Sequence, residues 1–159
     1  MVILSCMAFG FYRSSVPLKR RKNLAVIDNG LEILENEIDF SREYIDVLLK
    51  RIAECTGNCP LFCEAAKNGS GSSAGQRWRA SVNKTKSIMC LNAEDCEILI
   101  ILASELGITG RDAQINSIRH VRSLLKLRLR EAQDECRTSV KLYRGLGAAA
   151  GIFLAVLLF

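Results

Sequence analysis

The end of this chain restricts its possible folds more than any other feature. From Gly145 to Phe159 no side chain carries a charge, and the segment closes on Leu154-Ala-Val-Leu-Leu-Phe159 without a polar face. A helix on a soluble domain keeps one polar side. Started from Val140 the segment spans about 30 Å as a helix, the thickness of a bilayer's hydrocarbon core. Lys141 and Arg144 can reach back to the interface, and Tyr143 suits headgroup level. A buried C-terminal helix is the alternative. Gly147 and Gly151 put small residues on one stripe, the pattern that lets membrane helices approach closely. Tyr143, Arg144, Gly147 and Gly151 are therefore expected to serve membrane packing, and the stripe leaves a homo-oligomer open.

The N-terminus, Val2 to Tyr12, is also apolar and short. Its cations follow the apolar stretch and no A-x-A site is clear, so it does not read as a signal peptide. Both apolar ends carry their positive charge toward the middle of the chain: Arg13 and Lys19-Arg20-Arg21-Lys22 after the first, Lys141 and Arg144 before the second. The positive-inside rule then places the middle in the cytoplasm and both termini outside, with Lys19 to Lys22 as a flank touching anionic headgroups. The expected division is a short membrane segment at 1–16, a cytoplasmic helical domain at 17–139 and a transmembrane helix at 140–159.

The middle reads as helices. Leu24, Ile27, Leu31, Leu34 and Ile38 are spaced 3-4-3-4, a coiled-coil-like seam, with Glu32, Glu35, Glu37 and Asp39 on other faces. Ser41 is expected to cap a second helix through Ile45, Leu48, Leu49 and Ile52, ended by Thr56-Gly57-Asn58. Pro60 opens a short third helix, Gly69 to Ser73 reads as a loop, and Ser73 caps a fourth bearing Trp78. Asn92 caps a fifth, apolar almost all round from Cys96 to Leu106 and so expected to be the most buried, with Gly107 as its stop. Thr109-x-x-Asp112 resembles a capping box for a last helix. Its stripe runs Ile115, Ile118, Val121, Leu125, Leu129, Ala132, Cys136, Val140 and Tyr143 without a break. The aromatic share is only 6%, so Leu, Ile and Ala carry the core, which favours helices over a β-sandwich. The fold expected is all-α: an antiparallel bundle of about six helices, the last one long and continuing into a C-terminal transmembrane segment.

Little points to catalysis. His120 is the sole histidine and stands beside Arg119 and Arg122, on what reads as a solvated face. No G-x-x-x-x-G-K-[ST] loop is present. Cys55, Cys59 and Cys63 are the one cluster that could ligate a metal, though a closed zinc site needs four soft ligands and Cys90 and Cys96 lack paired spacing. Seven cysteines, an odd number, read as reduced thiols. A cytoplasmic metal-binding or enzymatic protein built on Cys55, Cys59 and Cys63 is the alternative; the main reading is a non-enzyme without cofactor. The net charge of +5 would suit nucleic acid, yet acids and bases alternate along most of the chain, so nucleic acid is not the expected partner.

Leu31-Glu-Ile-Leu-Glu-Asn-Glu-Ile38, Leu106-Gly-Ile-Thr-Gly-Arg-Asp-Ala-Gln114 and Lys141-Leu-Tyr-Arg-Gly-Leu-Gly147 before an apolar end together resemble the stage III sporulation protein AB family. That family has a Leu-Glu-x-Glu-Ile helix, a Leu-Gly then Asp-x-x-Gln helix start and a Tyr-Arg-x-Leu-Gly entry to a terminal membrane helix. The family in turn resembles the cytoplasmic helical domains of the inner-membrane platform proteins of type II secretion and type IV pilus systems. The resemblance implies a non-enzymatic subunit of the channel complex between mother cell and forespore, in the mother-cell membrane. Its implied partners are a cytoplasmic secretion-type ATPase and other membrane proteins of the complex. Glu35, Glu37, Arg111, Asp112 and Gln114 match family motif positions and are the expected partner surface.

Overall fold

The 3-4-3-4 spacing does what it dictates. Leu24, Ile27, Leu31, Leu34 and Ile38 are all buried, on a first helix, α1, that runs Val2–Phe40. The computed structural model describes the backbone of residues 2–158 apart from 42 and 68–71, and side chains from 16 to 138 outside those two breaks. Five more helices follow: α2 (Ile45–Cys55), α3 (Pro60–Ala65), α4 (Ala74–Thr85), α5 (Ala93–Ile101), which a 3-10 turn at Leu102–Ser104 prolongs, and α6 (Arg111–Leu158). No strand occurs among the described residues, so the all-α expectation holds.

Two long helices form the frame. With 39 and 48 residues, α1 and α6 extend about 58 and 72 Å. They pack along each other, and their ion pairs fix an antiparallel register: Arg20 meets Glu135, Asp28 meets Arg122, Glu35 meets Arg119 and Asp39 meets Arg111. The stripe expected on α6 is buried at Ile115, Ile118, Val121, Leu125 and Ala132, and Leu129 is half-buried. The short helices close the core from one side. Trp78 is fully buried against Phe62, their ring centroids 5.7 Å apart, and its indole N–H donates to the Leu99 carbonyl at 2.7 Å.

Local signals set most boundaries. Ser73 with Gln76, and Asn92 with Asp95, form reciprocal capping boxes at α4 and α5. Gly57, Asn58 and Gly107 adopt positive φ where α2 and the 3-10 turn end. Three expectations are corrected. Ser41 does not cap α2: its hydroxyl accepts from Glu43 N–H, and the helix starts after Tyr44, which makes no side-chain cap. Thr109 forms no capping box for α6, because its hydroxyl donates back to the Glu105 carbonyl, while the Gly110 carbonyl takes the first helical bond from Gln114 N–H. The fifth helix is shorter than Cys96 to Leu106, and Ile101 on it is exposed: α5 buries one face only, since it lies at the edge of the bundle.

The N-terminal segment is continuous with the bundle in backbone terms, since α1 runs unbroken through Pro17. Pro17 lacks the amide that would close that turn. Among the described residues no helix is long and apolar enough to cross a membrane. For the transmembrane segment expected at 140–159 the described part is the helical backbone of α6 up to Leu158; its side chains, those of Tyr143, Arg144, Gly147 and Gly151 among them, and the side chains of 1–15 lie outside what is described, as does most of the Gly69 to Ser73 loop.

Two substitutions of opposite sign test this packing. A Cβ at Gly75 would overlap the Ala103 backbone carbonyl, so Gly75→Ala should destabilise by about 1–3 kcal/mol. Cys90 holds φ +56 where the turn after α4 closes with Leu91 N–H on the Lys86 carbonyl. Cys90→Gly should therefore stabilise by about 0.5–1 kcal/mol. Denaturant unfolding of the detergent-extracted chain reads both.

Candidate functional site

Charge is built into the α1/α6 frame at three levels. At the first, Arg20 lies 5% exposed and Asp95 fully buried. Arg20 Nε and Nη2 donate to the two Asp95 carboxylate oxygens at 2.7 and 2.9 Å, and Nη1 donates to Glu135 at 2.9 Å. Asp95 also accepts from the Asn92 backbone N–H at 3.1 Å, so the residue that starts α5 is bonded to α1. From α6, Arg128 brings its Nε to 3.5 Å from Asp95, a charge contact without a hydrogen bond, and pairs with Glu94 and Glu131. The bonds to Asp95 raise the Arg20 pKa further above its ordinary value, against the opposing effect of burial. A bidentate guanidinium–carboxylate pair fixes orientation as well as charge.

This corrects the expectation that Lys19-Arg20-Arg21-Lys22 forms a uniform headgroup-facing flank. Arg20 turns inward to Asp95, because a helix spreads consecutive residues around its axis, and Lys19, Arg21 and Lys22 stay exposed.

At the second level Arg122 reaches Asp28, Glu32 and Glu35, at 3.2, 2.9 and 2.8 Å, and Arg119 adds a 2.6 Å bond to Glu35. Burial tends to raise the Glu35 carboxyl, but the hydrogen bonds from Arg119 and Arg122 outweigh it and hold the group below the ordinary carboxylate value of 4.5.

The third level is the far end of the frame. Arg111 pairs with Asp39 at 3.1 Å, and Arg51 of α2 pairs with Glu37 and Glu43 at 2.7 and 2.8 Å. The Gln114 side chain accepts from Gly107 N–H at 3.3 Å and donates to the Thr109 carbonyl at 2.7 Å, tying down the turn before α6. A small groove between these elements is lined by Ile38, Ser41, Glu43, Ile45, Arg111 and Gln114. Around it Phe40 and Tyr44 are each 86% exposed and Ile108 67%. No described element covers these three large apolar side chains.

The structure thus brings Glu37, Arg111 and Gln114 of the expected partner surface to one end, with Asp112 exposed in the first turn of α6. Glu35 sits lower and is already bound within the frame. Sequence reasoning did not find Phe40, Tyr44 or Ile108, which stand outside the 3-4 stripe and beside helix breaks. For Asp95 the available signal was its place in the first turn of α5, three residues after the Asn92 cap; its partner Arg20 lies 75 residues away.

His120 is exposed. Cys55 is exposed, Cys59 buried and Cys63 half-buried, and burial raises the Cys59 thiol. Among the described residues no group of three His, Cys, Asp or Glu side chains is placed to hold a metal.

A family model described as stage III sporulation protein AB matches residues 1–159. A solved structure of stage III sporulation protein AB (SpoIIIAB) superimposes with a TM-score of 0.68 at 21% sequence identity, covering 75% of this chain and 97% of that chain. At that identity the structural likeness speaks for the fold. No curated protein matches the chain.

Two outcomes follow from the ionic levels. Asp95→Asn keeps an oxygen for the cap but leaves Arg20 with Glu135 as its remaining carboxylate, and should cost about 1.5–3 kcal/mol in denaturant unfolding; Arg20→Met with Asp95→Leu, which also gives up the capping bond from Asn92 N–H, should recover only part of it. Glu35 has a lowered folded-state pKa, so its contribution is full above the unfolded value and is lost as pH falls through the folded one. Stability should decline as pH drops below about 4.5, and less steeply in Glu35→Gln.

Proposed function

This chain belongs to the stage III sporulation protein AB family, and from that premise we propose that it is a non-enzymatic, membrane-anchored platform subunit. It serves the channel and secretion complex between mother cell and forespore. There it couples a cytoplasmic secretion-type ATPase to the membrane proteins of the complex.

One observation carries the reading: the antiparallel register of α1 and α6. With residue 20 beside residue 135 and residue 39 beside residue 111, both helices leave the bundle at the same end, toward the two uncharged termini. The turns after α1 and before α6 share the other end, about 28 Å further along. A frame of this kind gives two anchors on one side and a contact surface on the other, joined by packed helices that transmit displacement without bending.

The cations support the same orientation. Lys19, Arg21, Lys22, Arg130 and Arg137 are exposed at the end where the termini leave, as the positive-inside rule asks of a cytoplasmic flank. The helical domain is then on the mother cell's cytoplasmic side, with both termini across the bilayer. At the far end Glu37, Arg111 and Asp112 offer charge around Phe40 and Tyr44, the mix of apolar anchors and polar rim that protein interfaces use. Glu35 and Gln114 hold that surface in place from beneath.

Charge reversal tests the surface. Glu37→Lys with Arg111→Glu should lower capture of the secretion-type ATPase about tenfold or more, with circular dichroism unchanged; undiminished capture would remove this end from the interface. Fractionation after detergent-free lysis tests the anchor: the chain should sediment with membranes, and recovery wholly in the supernatant would refute it.

A further inference from the structure

The two flanks of the α1/α6 hairpin carry opposite charge near the end where the termini leave. One groove between the helices is lined by Leu18, Arg21, Lys22, Val26, Leu129 and Gln133 among others, and no carboxylate lines it. The other is lined by Pro17, Glu131, Asp134, Glu135 and Thr138, with no cation. Arg20 and Arg128 reach Glu135 and Glu131 from within. Glu94, Asp95, Glu131, Asp134 and Glu135 on this side outnumber the two guanidiniums that pair there, with Arg130 and Arg137 exposed on the neighbouring face of α6. At about 100° per residue, Leu129 and Gln133 lie on the opposite side of α6 from Glu131 and Thr138. The grooves overlap in height: the basic one runs along residues 18–29 of α1 and 129–133 of α6, the acidic one from Pro17 along residues 131–138 of α6, nearer the termini, and both are lined by these two helices alone.

We propose that the two grooves are the two halves of one contact between copies of this chain. The basic groove of one copy receives the acidic flank of the next. Arg21 and Lys22 face Asp134 and Glu131 across it, and Leu18, Val26 and Leu129 supply the apolar area. Leu18 is 52% exposed in the single chain, uncovered by any other element described. Because the complementary patches are different surfaces on opposite flanks, the contact is head-to-tail. It repeats about an axis parallel to the long helices and closes into a ring or runs as a row.

An anionic headgroup would also suit Arg21 and Lys22. It would leave the acidic flank, which lies nearer the termini, repelled by the same surface. A second copy uses both. The contact rests on the two grooves and not on the ATPase-coupling role, so failure of one leaves the other standing.

Full-length copies bearing two different tags, co-produced and extracted in mild detergent, report the contact by co-purification. Arg21→Glu with Lys22→Glu should lower it about tenfold, and so should Glu131→Lys with Asp134→Lys. A chain carrying all four changes should associate again, because the charges once more oppose. Mixing the two reversed variants should do the same, a recovery that misfolding would not give. Undiminished co-purification of either reversed variant overturns the proposal, and so does loss without recovery. It is also overturned if single copies persist and Arg21→Glu with Lys22→Glu abolishes only binding to phosphatidylglycerol vesicles, leaving phosphatidylcholine vesicles as the blank.

Discussion

The antiparallel packing of α1 on α6 holds the rest of the molecule in place. Two helices of this length have large apolar stripes that neither could leave in water, and each covers the other's. Leu24, Ile27, Leu31, Leu34 and Ile38 supply one side, and Ile115, Ile118, Val121, Leu125 and Ala132 the other. The four short helices add a cap over the remaining apolar face. They connect two helix ends that the long pairing has already brought together.

Hydrophobic burial has no direction, so it does not by itself choose the register. The ionic levels do. Arg20 can satisfy Asp95 and Glu135 together at one offset of α1 on α6, and Arg122 can reach Asp28, Glu32 and Glu35 at the same offset. A slip by one turn would leave Arg20 and Asp95 buried and unmatched, which costs far more than the pair contributes when made. The buried pair selects one arrangement among several of similar apolar area.

The same frame separates two kinds of surface. Near the exit of the termini the flanks are polar and strongly charged, with opposite sign on opposite sides. At the other end the charges are paired close to Phe40, Tyr44 and Ile108, which have no partner within the described residues. Stiffness follows from a continuous core, so whatever is bound at one end is held at a fixed distance and orientation from the other.

Helix identity, most boundaries and both core stripes were legible in the sequence, because they depend on spacing within one or two turns: the 3-4 repeat, Ser73 three residues before Gln76, Asn92 before Asp95, Gly107 as a stop. The boundaries that misled, Ser41 and Thr109, are positions where a hydroxyl had a second nearby backbone partner and took it. The apolar, uncharged character of the ends was likewise fixed by the order of residues alone. Which cation is buried was not. Lys19, Arg20, Arg21 and Lys22 are equivalent until Asp95, far along the chain, is folded against one of them. Only tertiary structure decided that Arg20 is internal, that the flanks carry opposite charge, and that Phe40 and Ile108 share an end. Each of these is a relation between residues whose distance apart is set by packing and not by the backbone between them.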